Sequence, residues 1–279
     1  MNKIVSKKVI SLSDSSRIET FFLQKDAQDF LIYSAVDGRS DIKTINKYFD
    51  KLGFENLWKY KIPNSHAACA ISHYLIIRDF AQSEGDDSDL LLVAEDDAVF
   101  TPRFRDVLGR IEDEKKPIDL LILAEGYGEG EKPKYLGPLA SEIALSWNSR
   151  KWIIRGKIFR AGEYWGTVYG AGLYLISRVA AKKYVKFVEN QKKVRWPSDW
   201  YHYWADKSGI RKEILRPGVA QWKGESSLGH ETSISLYDKK HKEDLSSLRN
   251  RLKFYSSSQL KNIKNSLKIT LKSHDGKFL

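Results

Sequence analysis

The sequence predicts an α/β fold, a mostly parallel central sheet flanked by helices. Three observations carry that expectation. Residues 89–94 read Asp-Leu-Leu-Leu-Val-Ala, a continuous apolar run of the kind found in a strand covered on both faces, and residues 119–124 repeat the pattern. Helix-type and strand-type segments alternate along the chain, as they do where helices cross over a parallel sheet. The length of 279 residues suffices to bury such a core as one large domain or two small ones.

Taken in order, residues 8–12 form a first strand, with Ser13 to Ser16 as the turn after it and a short helix over 17–25. Residues 30–36 are a second strand that ends in the Asp37-Gly38 turn. Residues 66–82 carry apolar side chains around most of a helical circumference, so this helix is mostly buried. A polar break at 84–88 leads into the 89–94 strand, which stops abruptly at Glu95-Asp96-Asp97. Thr101 and Pro102 are suited to the N-cap and first turn of the next helix. Residues 126–134 are glycine-rich and charged, hence a surface loop; 152–159 and 167–176 read as strands, and Ser177 caps a helix running to about Glu189.

Past Tyr237 the composition changes. Leu245, Leu248, Leu252 and Tyr255, then Leu260, Ile263, Leu267 and Leu271, recur at helical spacing among lysines. The expected organisation is therefore a body over 1–237 and a basic amphipathic helical tail over 238–279. That tail holds eleven Lys/Arg against four Asp/Glu, a net +7 of the chain's +11. Its apolar stripe flanked by Lys261, Lys264, Lys268 and Lys272 fits an anionic membrane surface, and fits equally a helix packed on the body with its lysines solvated.

Other features bound the function class. Cys69 is the single cysteine, which excludes an internal disulfide framework and a zinc site built of several cysteines, and suits a reducing compartment. The apolar runs are too short to span a bilayer, and the lysines near the N-terminus are not followed by a signal-type apolar stretch, so a cytoplasmic protein is expected. A Gly-x-x-x-x-Gly-Lys phosphate loop is missing, which leaves an ATPase unsupported. The pI near 9.4 and many aromatic residues raise a nucleic-acid binder as a rival. Its positive charge is concentrated in the tail and its strongest motif is acidic, so no nucleic-acid partner is expected. A metal-dependent phosphohydrolase is a second rival, but it calls for more histidines and a second acidic cluster.

Three adjacent carboxylates at the exit of a buried strand raise one another's pKa, and a divalent cation relieves that conflict. Oxygen ligands suit Mg2+ or Mn2+, and open α/β sheets bind ligands at the carboxyl ends of their strands. The alternative is that these acids favour the N-terminus of the following helix.

The surrounding segments decide between these. Val9-Ile10-Ser11-Leu12 with Arg17, Ala35-Val36-Asp37-Gly38, Ala68-Cys69-Ala70-Ile71-Ser72-His73, Leu91 to Asp97, and Tyr169-Gly170-Ala171-Gly172 running to Ser177 with Ala180-Ala181 beyond resemble glycosyltransferase family 25 in order and spacing. These are the lipooligosaccharide galactosyltransferases and their collagen-modifying relatives. The resemblance covers roughly residues 8–235, with two departures: Ala94 stands where the family has a larger apolar residue, and the tail matches no family motif.

The resemblance implies a GT-A-type fold, a UDP-sugar donor, a Mn2+-like cation and a β-linked, inverted product made on a lipid-linked oligosaccharide acceptor, at the inner membrane face. The acids then function as the family's DXD metal site, with Asp97 and Glu95 as ligands and Asp96 toward the donor. His230, on a glycine-flanked segment, is a candidate third ligand or simply a surface histidine. Arg17, Asp37, Ser72 and His73 are candidate donor contacts; Arg17 and Asp37 read equally as turn residues and His73 as a hydrogen-bonded core histidine. Asp199, between Trp196 and Trp200, is the candidate general base, with the tryptophans as acceptor-binding surfaces; it reads equally as a helix cap beside core tryptophans. Glu125 is the alternative base.

Overall fold

The computed structural model describes residues 2–128, 143–166, 168 and 170–222, with the main chain alone at 125–128. His230 and the 238–279 tail lie outside the described residues. In chain order the elements begin with β1 (Lys3–Ser11), α1 (Arg17–Phe22), β2 (Leu31–Ser34), α2 (Ile42–Tyr48), α3 (Lys51–Trp58), α4 (Asn64–Gln82) and β3 (Asp89–Glu95). They continue with β4 (Ala98–Phe100), α5 (Phe104–Glu112), β5 (Leu120–Ile122), β6 (Ala124–Gly128), β7 (Ala144–Leu145), β8 (Arg150–Ile154) and β9 (Lys157–Trp165). The last are β10 (Leu173–Ser177), α6 (Arg178–Gln191), α7 (Tyr201–Lys207), β11 (Lys212–Arg216) and β12 (Ala220–Trp222).

The large sheet runs β2-β1-β3-β10-β5-β11-β9-β7, with β8 paired to β9. It is mixed. Strand β1 is parallel to β2 and β3, and β5 to β11, while β10 inserts antiparallel between β3 and β5. The period of two sorts its side chains between two cores. Leu91 and Val93 of β3 join Ile71 and Ile77 of α4 and Trp204 of α7 on one face. Leu90, Leu92 and Ala94 join Phe21 of α1 and Val107 and Ile111 of α5 on the other. With helices on both faces, β3 and β10 have no solvent side, which is why both read as unbroken apolar runs.

Several boundaries differ from the sequence expectation. Thr101 does not cap α5: its main-chain N–H donates to Val219 O, which prolongs the pairing of β4 with β12, and the helix begins only at Phe104. The expected strand over 152–159 is a hairpin, β8 and β9, turning at Arg155 and Gly156, both with positive φ. Of the expected strand over 167–176, β10 covers 173–176, and residues 167 and 169 lie outside the described residues. The main chain before β10 is interrupted at Gly170 (φ +80°), where the Trp222 ring packs. Residues 126–128 belong to β6, not to a loop. Ser177 does cap α6, accepting from Ala180 N. Among the described residues, no helix is long and apolar enough to cross a membrane.

One buried cation ties the frame together. The Arg178 side chain, 2% exposed, donates to Phe80 O, Ser83 O and Asp86 O and faces Asp89 Oδ2 at 3.5 Å. It thereby clamps the end of α4, the entry to β3 and the start of α6. Arg178→Ala should take a donor from those carbonyls, leave the Asp89 charge without its cation, and cost about 3–5 kcal/mol in urea unfolding, the scale of breaking a buried ion pair.

Candidate active site

Strand β3 carries Glu95 out at its carboxyl end, and the chain turns at once through Asp96 and Asp97 into β4. The adjacent acids enter three different environments. Asp96 turns inward and is buried. It accepts from Ser11 Oγ at 2.7 Å and Ser15 Oγ at 2.6 Å, and pairs with the Arg17 guanidinium at 3.0 Å. Charge-assisted bonds of this kind are strong, so Asp96 serves to pin the turn after β1 to the end of β3.

Glu95 turns toward α4. Its Oε1 lies 3.1 Å from His73 Nε2 and 3.7 Å from Cys69 Sγ. The other His73 nitrogen meets the Tyr174 hydroxyl at 3.0 Å, and Cys69 Sγ touches Ser198 Oγ at 3.4 Å. Burial, reinforced by the Glu95 charge, pushes the Cys69 thiol well above its ordinary pKa.

Asp97 is left without a full complement of partners. Its Oδ2 reaches Arg17 only at 3.4 Å, and its Oδ1 is buried with no hydrogen-bond partner among the described residues. Burial first, then the Glu95 charge, push its carboxyl up from 3.8 to about 7, against the pull of Arg17. A buried oxygen that meets no donor among the described residues, beside a second carboxylate, fits an oxygen-coordinated divalent cation.

Asp199 completes the constellation from the far side. Its Oδ2 accepts from Gly170 N at 2.8 Å. Burial raises its pKa, the Gly170 bond lowers it, and the nearby Glu95 charge raises it again. It does not cap α7, whose N-cap residue is Trp200. Gly170 and Gly172 form the intervening wall: Glu95 N donates to Gly172 O at 3.0 Å, and the Trp222 ring lies where a Cβ on either glycine would stand. A side chain at 170 or 172 would meet that ring at 2.0–2.1 Å, so the glycines admit Trp222 to the site.

Some expected contacts are corrected. Trp196 is fully buried, stacks on Phe187 and donates to the Tyr184 hydroxyl at 3.2 Å, so it is core and offers no surface to a sugar. Ser72 is buried, donates to Ala68 O and accepts from Val36 N, tying α4 to the end of β2 instead of facing a donor. His73 is 4% exposed with both ring nitrogens engaged, which makes it a partner of Glu95 and not a donor contact. Asp37 is held by Arg39, which also bridges to Asp14, and those hydrogen bonds drop its carboxyl below the usual range.

Trp200 remains partly open, edge-on to Trp58 with ring centroids 3.9 Å apart. Tyr60, 38% exposed, feels the Asp199 charge. The aromatic rim near Asp199 is therefore Trp200, Trp58 and Tyr60. Nothing local in the sequence marks Trp58, at the end of α3, or Tyr60, just past it, as neighbours of the segment that leads into α7. Glu125 lies on β6, beside β12.

The sequence profile of glycosyltransferase family 25 (LPS biosynthesis protein) matches residues 5–201. No curated protein matches the chain. Similar solved structures include the inositol-1-phosphate CTP transferase from T. maritima, at 12% identity and a TM-score of 0.41 over 85% of this chain and 95% of that one. A197 from STIV is similar at 14% identity and a TM-score of 0.35, over 83% of this chain and 100% of that one. Mouse xyloside xylosyltransferase 1 in its apo form shows 11% identity and a TM-score of 0.30, over 74% of this chain and 62% of that one.

The Asp97 environment has a signature in the metal-free protein. A carboxyl raised in the folded state binds its proton more tightly there than when unfolded, so stability falls as pH rises from near 3.8 to about 7 and then levels. Asp97→Asn removes that loss. In chelator-treated protein the variant should gain stability over the parent between pH 4 and 7, reaching at most about 4 kcal/mol above pH 7. A difference that stays flat across this range contradicts the assigned environment.

Proposed function

The chain belongs to glycosyltransferase family 25, and from that premise we propose that it is an inverting hexosyltransferase of lipopolysaccharide biosynthesis. The proposed donor is UDP-galactose, the product a β-linkage, and the acceptor a sugar of a lipid-linked oligosaccharide. The observation that carries the reading is the buried Asp97 oxygen, without a hydrogen-bond partner among the described residues, beside Glu95, with Asp199 across the Gly170–Gly172 wall.

Asp97 and Glu95 would hold Mn2+ or Mg2+, with His230 a further candidate ligand. Such an ion supplies Lewis-acid neutralisation of the departing diphosphate. Arg17, anchored by Asp96 at the mouth of the acidic turn, presents a guanidinium to the donor phosphates. Trp200, Trp58 and Tyr60 offer apolar faces to the acceptor ring.

Asp199 performs the proton transfer. Its carboxylate accepts the proton of the acceptor hydroxyl as that oxygen bonds to the anomeric carbon and the bond to the diphosphate breaks. The Gly170 N–H fixes one carboxylate oxygen and leaves the other for the acceptor, while burial raises the basicity of the group. A GT-A-type arrangement and docking of the basic tail on an anionic membrane surface belong to the same proposal. The tail's net +7 supports the second, since each lysine near such a surface contributes about 1 kcal/mol.

Asp199→Asn should lower turnover by roughly a hundredfold or more, the scale of general-base catalysis, with donor affinity unchanged. Collapse of donor affinity along with turnover would place Asp199 in the donor site and move the test to Glu125. Trp200→Ala should raise the acceptor KM with little change in donor KM; equal changes in both would contradict the aromatic rim as an acceptor surface.

A further inference from the structure

Cys69 and His73 take no part in the proposed chemistry, and with Glu95, which that reading also offers to the divalent ion beside Asp97, they make a coherent donor set. The geometry points to a binding site for Zn2+ formed by Cys69 Sγ, His73 Nε2 and Glu95 Oε1, separate from the Asp97 oxygen. Cys69 and His73 are four residues apart on α4, so their side chains leave the same face of the helix one turn apart. Glu95 meets them from the end of β3. The three donor atoms lie within 4.8 Å of one another.

Their spacing suits one ion. A tetrahedral zinc with bonds of about 2.3 Å to sulfur and about 2.0 Å to nitrogen and oxygen holds nitrogen and oxygen about 3.3 Å apart and sulfur and oxygen about 3.5 Å apart. The observed separations are 3.1 Å for His73 Nε2 to Glu95 Oε1 and 3.7 Å for Cys69 Sγ to Glu95 Oε1. For the two pairs that Glu95 makes, movements of a few tenths of an ångström suffice, while Cys69 Sγ and His73 Nε2, which lie within 4.8 Å of one another, close toward about 3.5 Å as they take up the ion.

The surroundings are those of a ligating histidine. In the tautomer a metal requires, Nδ1–H donates to the Tyr174 oxygen 3.0 Å away and the Nε2 lone pair is directed at the site, as outer-shell partners commonly arrange. Tyr174 is buried on β10 and cannot turn away. The Glu95 side chain is 26% exposed and gives the ion a route in, and three protein ligands leave a fourth position for water.

Thiolate and imidazole select Zn2+ over Mg2+ or Mn2+, whereas the lone Asp97 oxygen has the opposite preference. The acidic turn thus borders two sites that sort ions by donor chemistry. Binding displaces the Cys69 thiol proton to solvent as the sulfur–metal bond forms. It also ties up the Glu95 oxygen whose charge bears on Asp97.

The test uses the full chain, freed of metal by chelation, titrated with Zn2+ by calorimetry and with Co2+ by absorption. One Zn2+ should bind per chain, and Co2+ should give a thiolate-to-cobalt charge-transfer band. Cys69→Ala should abolish the band and weaken Zn2+ binding by more than tenfold. Tyr174→Phe should keep the band and weaken binding by roughly 10–100-fold, the cost of an outer-shell partner. Asp97→Asn should retain both, which separates this site from the metal assignment under the proposed function. A parent protein whose Co2+ spectrum lacks the charge-transfer band overturns the site even if Cys69→Ala fails to fold. Zn2+ affinity lost in Asp97→Asn but kept in Cys69→Ala overturns it as well.

Discussion

Three consecutive carboxylates at the end of a fully buried strand cannot all remain charged and unpaired, and much of the structure around β3 answers that constraint. Each acid is given a different environment. Asp96 receives two hydroxyls and a guanidinium, all from the turn after β1 and the start of α1. Glu95 receives an imidazole and a thiol from one face of α4. Among the described residues, Asp97 receives one distant guanidinium and keeps a buried oxygen without a donor. Low dielectric surroundings amplify this last imbalance, which is what supports the proposed cation at the turn.

The opposite wall depends on a different economy, that of space. Gly170 and Gly172 allow the Trp222 ring to lie directly against the main chain that spans from Asp199 to Glu95. Trp222 is in turn placed by β12, which pairs with β4 immediately after the acids and with β6. The acidic turn, the glycine wall and Asp199 are therefore held by one connected set of hydrogen bonds, main chain to main chain except where the Asp199 carboxylate accepts from Gly170 N. A site built on strands in this way keeps its groups in fixed relation better than one carried on free loops.

Much of this was legible in the sequence, for identifiable reasons. The β3 and β5 runs, α4 and the Ser177 cap follow local rules of periodicity and capping, and they were read correctly. The acidic triplet and Asp199 are residues the sequence also offers as candidates, and the main chain at Gly170 and Gly172 contacts both Asp199 and Glu95. What escaped depends on neighbours distant along the chain. Trp196 and Trp200 look alike in sequence, yet packing against Phe187 and Tyr184 buries the first while the second stays partly open. Thr101 has the chemistry of a cap, but pairing with Val219 takes its N–H for a strand. The i, i+4 spacing of Cys69 and His73 was visible, but only the fold shows that Glu95 faces them. A lone cysteine therefore did not read as part of a mixed donor set.

The central claim is that the acidic turn handles the diphosphate of a nucleotide sugar. The most direct measurement incubates the purified chain with Mn2+ and a panel of UDP-sugars, with no acceptor present, and follows the release of UDP. The account predicts slow release from UDP-galactose in preference to the other donors, dependent on the added ion and absent in Asp97→Asn. Release that is equal for all donors and unaffected by that substitution, or no UDP-sugar turnover under any metal, would contradict it.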